Sequence, residues 1–341
     1  MKMGNRAFIT VLVPTYNEEN YISLCINSII EQNYPKGLME VFFIDGNSTD
    51  KTKDIIREYI DKYSFFHLFE NPYKIVPKAL NIGIKKAKGD FIIRLDAHSK
   101  FPENYFSKLV ESSQKLNADN VGGVCITDVK NRTPKSLAIC EVLSNRFGVG
   151  NSMFRVGTDK ITEVDTVVFG CFRRDVFEKY GLFDERLVRN QDIELNKRIK
   201  NSGGKLYIIP EVKCIYFARE NFRDLFENNY KNGFWNILTV YYTKTFKSLS
   251  LRHFLPLFFV LSLIIPSIIS MFYFPFIYLT LLSLSLYIIF SVVVSLTLSV
   301  RKKMSLLYLL ISFFVLHTSY GLGSLISFMK IPFKTITGNV I

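Results

Sequence analysis

The stretch Phe91-Ile92-Ile93-Arg94-Leu95-Asp96-Ala97-His98 decides how the rest of the chain is read. Its opening residues are the apolar run of a buried strand, and the run ends abruptly at Asp96. Asp96 and His98 stand two residues apart, so at a strand end both can reach one divalent ion in a crevice. A carboxylate suits Mg²⁺ or Mn²⁺, and the imidazole makes Mn²⁺ the more comfortable ion. Each residue also has a purely structural reading. An Asp at a strand end caps the next helix, and a lone His is satisfied by a hydrogen bond.

Upstream, the same alternation of periods repeats. Residues 8–13 form a β-branched strand, and residues 20–32 place Ile22, Cys25, Ile26, Ile29 and Ile30 on one helical face. Residues 40–44 are a second strand, which ends at Asp45-Gly46-Asn47-Ser48. A helix over 49–63 follows with Asp50 in its first turn, where a carboxylate suits the helix dipole. A third strand (65–69) and a third helix (76–86, closing with Gly89) lead into the strand at 91–95. Strand-helix alternation with short turns implies an α/β fold with a parallel sheet covered on both faces. Ligands of such sheets sit beyond the carboxyl ends of the strands, where strand order reverses. Tyr16 to Glu18, Asp45, and Asp96 to His98 should therefore meet at one crevice. There Asp45 either accepts hydrogen bonds from a base or ribose, or closes an Asx-turn into the next helix.

Beyond Pro102 the pattern is less regular. The periodicity gives helices over 103–116, 136–147 and 174–180, and strands over 120–126 and 164–169. A polar, Gly-containing stretch, 148–162, reads as a mobile loop. A helix over 190–201 has Asn190 as its N-cap and Gly203-Gly204 as its stop. Residues 205–217 read as one or two strands broken at Pro210.

Charge is distributed very unevenly along the 341 residues. There are 43 Lys+Arg against 30 Asp+Glu, a formal net charge of +13, yet every acid lies between Glu18 and Glu227. Residues 254–300 and 304–329 contain no Asp, Glu, Lys or Arg. A hydrocarbon core needs about 20 apolar residues per spanning helix, so spans fall near 254–274, 275–300 and 304–329. Arg301-Lys302-Lys303 and the pair Lys247 and Arg252 put those ends, and the N-terminal domain, on the cytoplasmic side of a cell membrane; Lys330 and Lys334 run against the same rule. The N-terminal run 7–13 is too short for an export signal and lacks a cleavage site. Between domain and spans, 221–250 carries Phe222, Phe226, Tyr230, Phe234 and Trp235 at helical spacing beside Arg223 and Lys231. That composition fits an amphipathic helix in the headgroup region, against the plainer reading of a surface helix packed on its neighbours. The domains are then 1–220, 221–250 and 251–341.

Other classes drop out. Five scattered cysteines with no Cys-x-x-Cys spacing read as reduced core residues, without zinc or disulfides. Neither a Gly-x-Gly-x-x-Gly nor a P-loop motif is present. Residues 1–227 carry 34 Lys+Arg against the 30 acids, and no arginine stripe, so nucleic acid is a poor partner.

Taken in order, Val13-Pro14-Thr15-Tyr16-Asn17-Glu18, Ile44-Asp45-Gly46-Asn47-Ser48-Thr49-Asp50, Ala79-Leu80-Asn81-Ile82-Gly83, Gly89-Asp90 and Asp96-Ala97-His98 resemble the family 2 glycosyltransferases of GT-A fold. Arg189-Asn190-Gln191-Asp192 with Glu194, Asn196 and Arg198, and His317 to Gly321, resemble its succinoglycan-type exopolysaccharide subgroup. The resemblance implies a Rossmann-like nucleotide-diphospho-sugar transferase domain, followed by the interfacial helix and about three transmembrane helices.

It also implies roles. Pro14, Tyr16 and Glu18 would line the nucleotide site and Asp45 would lie near the base or ribose. Asp96 would touch the donor and, with His98, hold a Mn²⁺ or Mg²⁺ ion. Asp192 would be the general base, although an acid in a first helical turn is also ordinary helix chemistry. The sequence departs from the family where Gly46 replaces a second Asp and where Gln191 replaces a Glu. The Gln-x-x-Arg-Trp signature of processive synthases is absent, which points to one sugar per encounter. The reading that results is a membrane-bound inverting enzyme with a nucleotide-sugar donor (a UDP-hexose), a polyprenyl-linked acceptor and a lipid bilayer as partners. Its alternatives are a polyprenyl-phosphate hexose transferase and an inert, membrane-anchored sugar-nucleotide-binding protein.

Overall fold

The structure is a computed structural model and describes residues 7–337. Nine strands form one sheet: β1 (Ile9–Thr15), β2 (Met39–Asp45), β3 (Phe66–Glu70), β4 (Phe91–Arg94), β5 (Ser99–Lys100), β6 (Asn120–Asp128), β7 (Thr162–Glu163), β8 (Cys171–Arg173) and β9 (Leu206–Phe217). The order is β3-β2-β1-β4-β8-β6-β9-β5, with β7 beside β9. The first four strands pair in parallel, Thr15 opposite Asp45 and Leu12 opposite Arg94. Strand order reverses between β1 and β4, which is where a ligand crevice is expected.

Helices over this sheet are α1 (Ile22–Ile30), α2 (Thr52–Ile60), α3 (Val76–Lys86) and α4 (Tyr105–Leu116). Next in the chain come α5 (Pro134–Val142) and α6 (Arg146–Val149), which belong to a second unit, and then α7 (Met153–Val156), α8 (Asp175–Tyr180) and α9 (Gln191–Asn201) of the sheet's own unit. The strands are buried on both faces, as alternation dictates. Ile9, Val11, Val13, Val41, Phe43 and Ile93 pack with Ile22, Ile26, Ile29 and Phe106. On the other face Leu12, Phe42, Ile44 and Ile92 pack with Leu80, Val176, Leu195 and Ile199. Full burial of one such side chain contributes about 1.5–3 kcal/mol. At Gly89 a Cβ would collide with the backbone of Ile9 and Thr10, so only glycine lets the turn before β4 lie on β1.

The structure departs from the sequence reading in several places. Residues 164–169 are not a strand. Phe169 is buried with φ 49°, and Asn196 Nδ2 donates to the Val167 carbonyl at 2.9 Å, so a side chain replaces the strand partner. The second strand reading, 205–217, is one continuous β9. Pro210 falls between the stretch paired with β7 (ending at Ile208) and the stretch paired with β5 (starting at Ile215), where a missing N–H is harmless. The helix predicted over 136–147 is two pieces, α5 and α6. Asn190 does not cap α9 with its side chain. It adopts φ 64°, a conformation Asn tolerates, and the helix starts after it.

The chain divides into two compact units, one of residues 1–126 and 153–217, the other of residues 127–152 and 218–341. The second unit therefore includes 127–152, which the sequence reading assigned to a domain of residues 1–220. It contains α10 (Phe222–Thr243), α11 (Leu255–Ser270), α12 (Ile277–Lys302) and α13 (Leu306–Thr337). Two helical stretches, Phe274–Lys302 and Leu306–Ile331, are long and apolar enough to cross a membrane. The span read at 254–274 is only the 16-residue α11. At 1.5 Å per residue that is about 24 Å, short of a hydrocarbon core of about 30 Å. A chain turn over Met271 to Phe276 takes up the remaining residues. Helix α10 lies along α13. A Cβ on Gly233 would collide with the Tyr320 carbonyl, and Ser324 Oγ donates to the Gly233 carbonyl at 3.0 Å. All five cysteines are free and buried.

Candidate active site

The crevice begins with two loops laced together. The Asn17 amide donates to Ser48 Oγ at 3.0 Å, and the Thr49 amide donates to Asn17 Oδ1 at 2.8 Å. Asp45 is buried and closes the second loop as an Asx-turn. Its Oδ2 accepts the Ser48 amide at 2.8 Å, and its Oδ1 accepts the Ser48 and Thr15 hydroxyls. Pro14 is half-buried at the end of β1. Tyr16 is exposed, and its ring lies so close over Gly46 that a Cβ there would stand 3.4 Å from it.

Beyond β4, a buried arginine organises the acids. Arg94 Nη2 donates to Asp96 Oδ1 at 2.9 Å and Nη1 to Asp192 Oδ2 at 3.2 Å. Burial opposes its charge, but the Asp96 and Asp192 carboxylates more than offset this and hold its pKa above the ordinary value. Asp192, the second residue of α9, also accepts its neighbour Ile193's amide at 2.9 Å. Asp96 and Asp192 therefore share one rim, joined by a guanidinium. The alternation of Arg94 with Ile92, facing inward on a buried strand, is the signal that it needs buried counter-charge.

His98 sits on the same rim. Its Nδ1 lies 2.9 Å from Glu18 Oε1, and the Tyr216 ring meets it edge-on at 5.1 Å between centroids. Below them, the Cys25 thiol approaches the Asp96 carbonyl at 3.8 Å. Burial first, then Glu18 and Asp96, push its pKa well up, so it stays a thiol. Glu18, read as a nucleotide contact, is thus placed against the imidazole.

The segment leading to Asp192 is clamped from both sides. Asn81 on α3 pairs with the Phe183 backbone like a strand neighbour, donating at 2.9 Å and accepting at 3.1 Å. Arg198 on α9 donates to the Tyr180 and Leu182 carbonyls and pairs with Glu194 at 2.6 Å. Lys78 lies over the Tyr73 ring and 3.8 Å from Glu185, away from the two acids' shared arginine.

Among the described residues no three His, Cys, Asp or Glu side chains stand together as a metal cage. By donor type, Asp96 and His98 are residues that could hold a divalent ion completed by phosphate oxygens. Asp96 Oδ2 accepts no protein hydrogen bond among the described residues, and the two donors match Mn²⁺.

The model of glycosyl transferase family 2 matches residues 10–181, which span the crevice from β1 to α8. The chain belongs to glycosyl transferase family 2. This transferase is 29% identical over 249 residues to a dolichyl N-acetyl-α-D-glucosaminyl phosphate 3-β-D-2,3-diacetamido-2,3-dideoxy-β-D-glucuronosyltransferase of Methanococcus voltae, covering 69% of the chain and 77% of that protein. It is 27% identical over 218 residues to the succinoglycan biosynthesis protein ExoA of Rhizobium meliloti, covering 63% and 65%. Its fold is similar to that of the mannosyltransferase PcManGT from Pyrobaculum calidifontis, solved with GDP-Man and Mn²⁺. That likeness has a TM-score of 0.60 at 17% identity and covers 99% of this chain and 89% of the other. The fold is GT-A-like, and the chain is a glycosyltransferase.

Proposed function

We propose that this family 2 transferase moves a sugar from a nucleotide-sugar, probed first as a UDP-hexose, to a hydroxyl of a polyprenyl-linked glycan in surface or exopolysaccharide synthesis. The observation that carries the reading is the Arg94 bridge, which gathers Asp96 and Asp192 onto one rim. A proton acceptor beside a phosphate-side acid is what single displacement at an anomeric carbon needs. The acceptor hydroxyl gives its proton to Asp192 as its oxygen bonds to the anomeric carbon. The bond from that carbon to the diphosphate oxygen breaks on the opposite face, and the nucleoside diphosphate leaves with the electron pair. The configuration inverts. A Mn²⁺ or Mg²⁺ ion on Asp96 and His98 would neutralise the charge of the departing diphosphate. Pro14, Tyr16 and the Asp45 turn form the nucleotide side, Asp45 Oδ2 accepting only the Ser48 amide and so keeping a lone pair for a base or ribose.

A lipid-linked acceptor is supported by the Methanococcus voltae relative, whose name specifies a dolichyl-phosphate sugar, and by the two long apolar helices. The helices would anchor the enzyme in the cell membrane with its transferase unit in the cytoplasm. In this reading α11 is a third, short membrane segment.

Substituting Asp192→Asn keeps the shape and removes the proton acceptor. Transfer should fall by at least about 10²-fold, the lower end of a general base's contribution. Donor affinity, measured by calorimetry in detergent, should stay unchanged. Wild-type transfer in that variant would end the assignment.

A further inference from the structure

We propose that Glu18 is a positioning residue of the cation site, orienting His98 as a ligand through its Nδ1, rather than a contact for the nucleotide. The inference rests on the reading of Asp96 and His98 as that site. A carboxylate only accepts hydrogen bonds, so at 2.9 Å His98 Nδ1 is the donor, and in the neutral ring the lone pair is then on Nε2. A metal ligand's second ring nitrogen held by a carboxylate fixes both tautomer and ring orientation.

The partners of this pair are themselves anchored. The Glu18 amide donates to Thr52 Oγ1 at 2.7 Å, and its carbonyl accepts the Tyr21 and Ile22 amides at 2.9 and 2.8 Å. On the other side the His98 carbonyl accepts the Phe217 amide at 3.2 Å, and the next residue, Ser99, pairs with Tyr216 in β9. The imidazole also contacts the rings of Tyr21 and Tyr216. Two loops, one pinned to α2 and the other to β9, thus meet at a single carboxylate–imidazole contact. Both Glu18 and Asp96 act on the Cys25 thiol, which puts their charges around one point at the base of the rim. A residue fixed this firmly against His98 is placed to steer the imidazole.

The test uses the full chain in detergent. Mn²⁺ binding is followed by electron paramagnetic resonance with UDP present, in wild type, Glu18→Gln and His98→Ala. Glu18→Gln should weaken Mn²⁺ binding by about 10- to 100-fold and alter the ¹⁴N modulation of the bound ion. UDP affinity in the presence of a chelator should be unchanged. His98→Ala should lose the ¹⁴N signal. Wild-type Mn²⁺ affinity and modulation in Glu18→Gln, with His98→Ala impaired, would overturn the role of Glu18 alone. Wild-type Mn²⁺ affinity in His98→Ala would overturn the cation site and this inference with it. A measurement on unsubstituted protein decides the case even if the variants fail to fold. The ¹⁵N shifts of His98 should report an Nδ1–H tautomer without metal, and an Nε2–H tautomer would refute the orientation.

Discussion

Arg94 enters the interior on the same strand face as Ile92, and a guanidinium there must find negative charge or destabilise the fold. It finds two carboxylates, each with a side chain 24% exposed. Substituting Arg94→Met would remove the donor they share and leave Asp192 only the Ile193 amide. The loss of stability should be about 2 kcal/mol, below the roughly 3–5 of a fully buried pair because water reaches both acids. Arg94→Lys should recover little, since an ammonium lacks the planar fork that bridges two carboxylates. Denaturant melts check the stability of both variants, and transfer assays should show Lys much closer to Met than to wild type. That Asp96 stands at a crevice was legible from the strand that runs into it, whereas Asp192 was singled out only by the family resemblance. What joins them was not legible. Which oxygen an arginine meets depends on α9, almost a hundred residues away, and Glu18 meets His98 only once β1 and β4 are neighbours.

The first four strands and their helices were readable because local period and tertiary burial agree there. The region before α9 was not, because buried side-chain amides replace regular pairing. Asn120 donates to Asn196 at 2.8 Å, Asn196 holds the Val167 carbonyl, and an apolar run that resembles a strand becomes an irregular wall. Asn81 does the same for Phe183. Replacing Asn81 with Ala would leave a buried N–H and C=O without partners, a loss of about 1–3 kcal/mol. Because Asn81 fixes the segment that runs into Asp192, Asn81→Ala should also lower kcat more than it raises KM for the donor. A melt and a steady-state donor titration measure the two effects. A stable variant with unchanged kcat would detach this clamp from the chemistry.

Taken as a whole, the chain combines a GT-A-like unit with a unit of long apolar helices. Composition made that division visible, since no carboxylate follows Glu227. The number of spans was less legible. A charge-free run of 47 residues, 254–300, does not show where a helix stops, and the structure ends α11 at Ser270. The segment 127–152 joins the C-terminal unit through contacts such as Lys302 Nζ to Glu141 at 2.8 Å, which no local pattern announces. The proposed function has this chain glycosylate a bilayer-held acceptor by direct displacement. The decisive measurement is the anomeric configuration of the new linkage, read from the one-bond carbon–proton coupling of product made by the detergent-solubilised full chain from an α-linked donor. A β-linked product is predicted. An α-linked product would contradict Asp192 as the base of a single displacement.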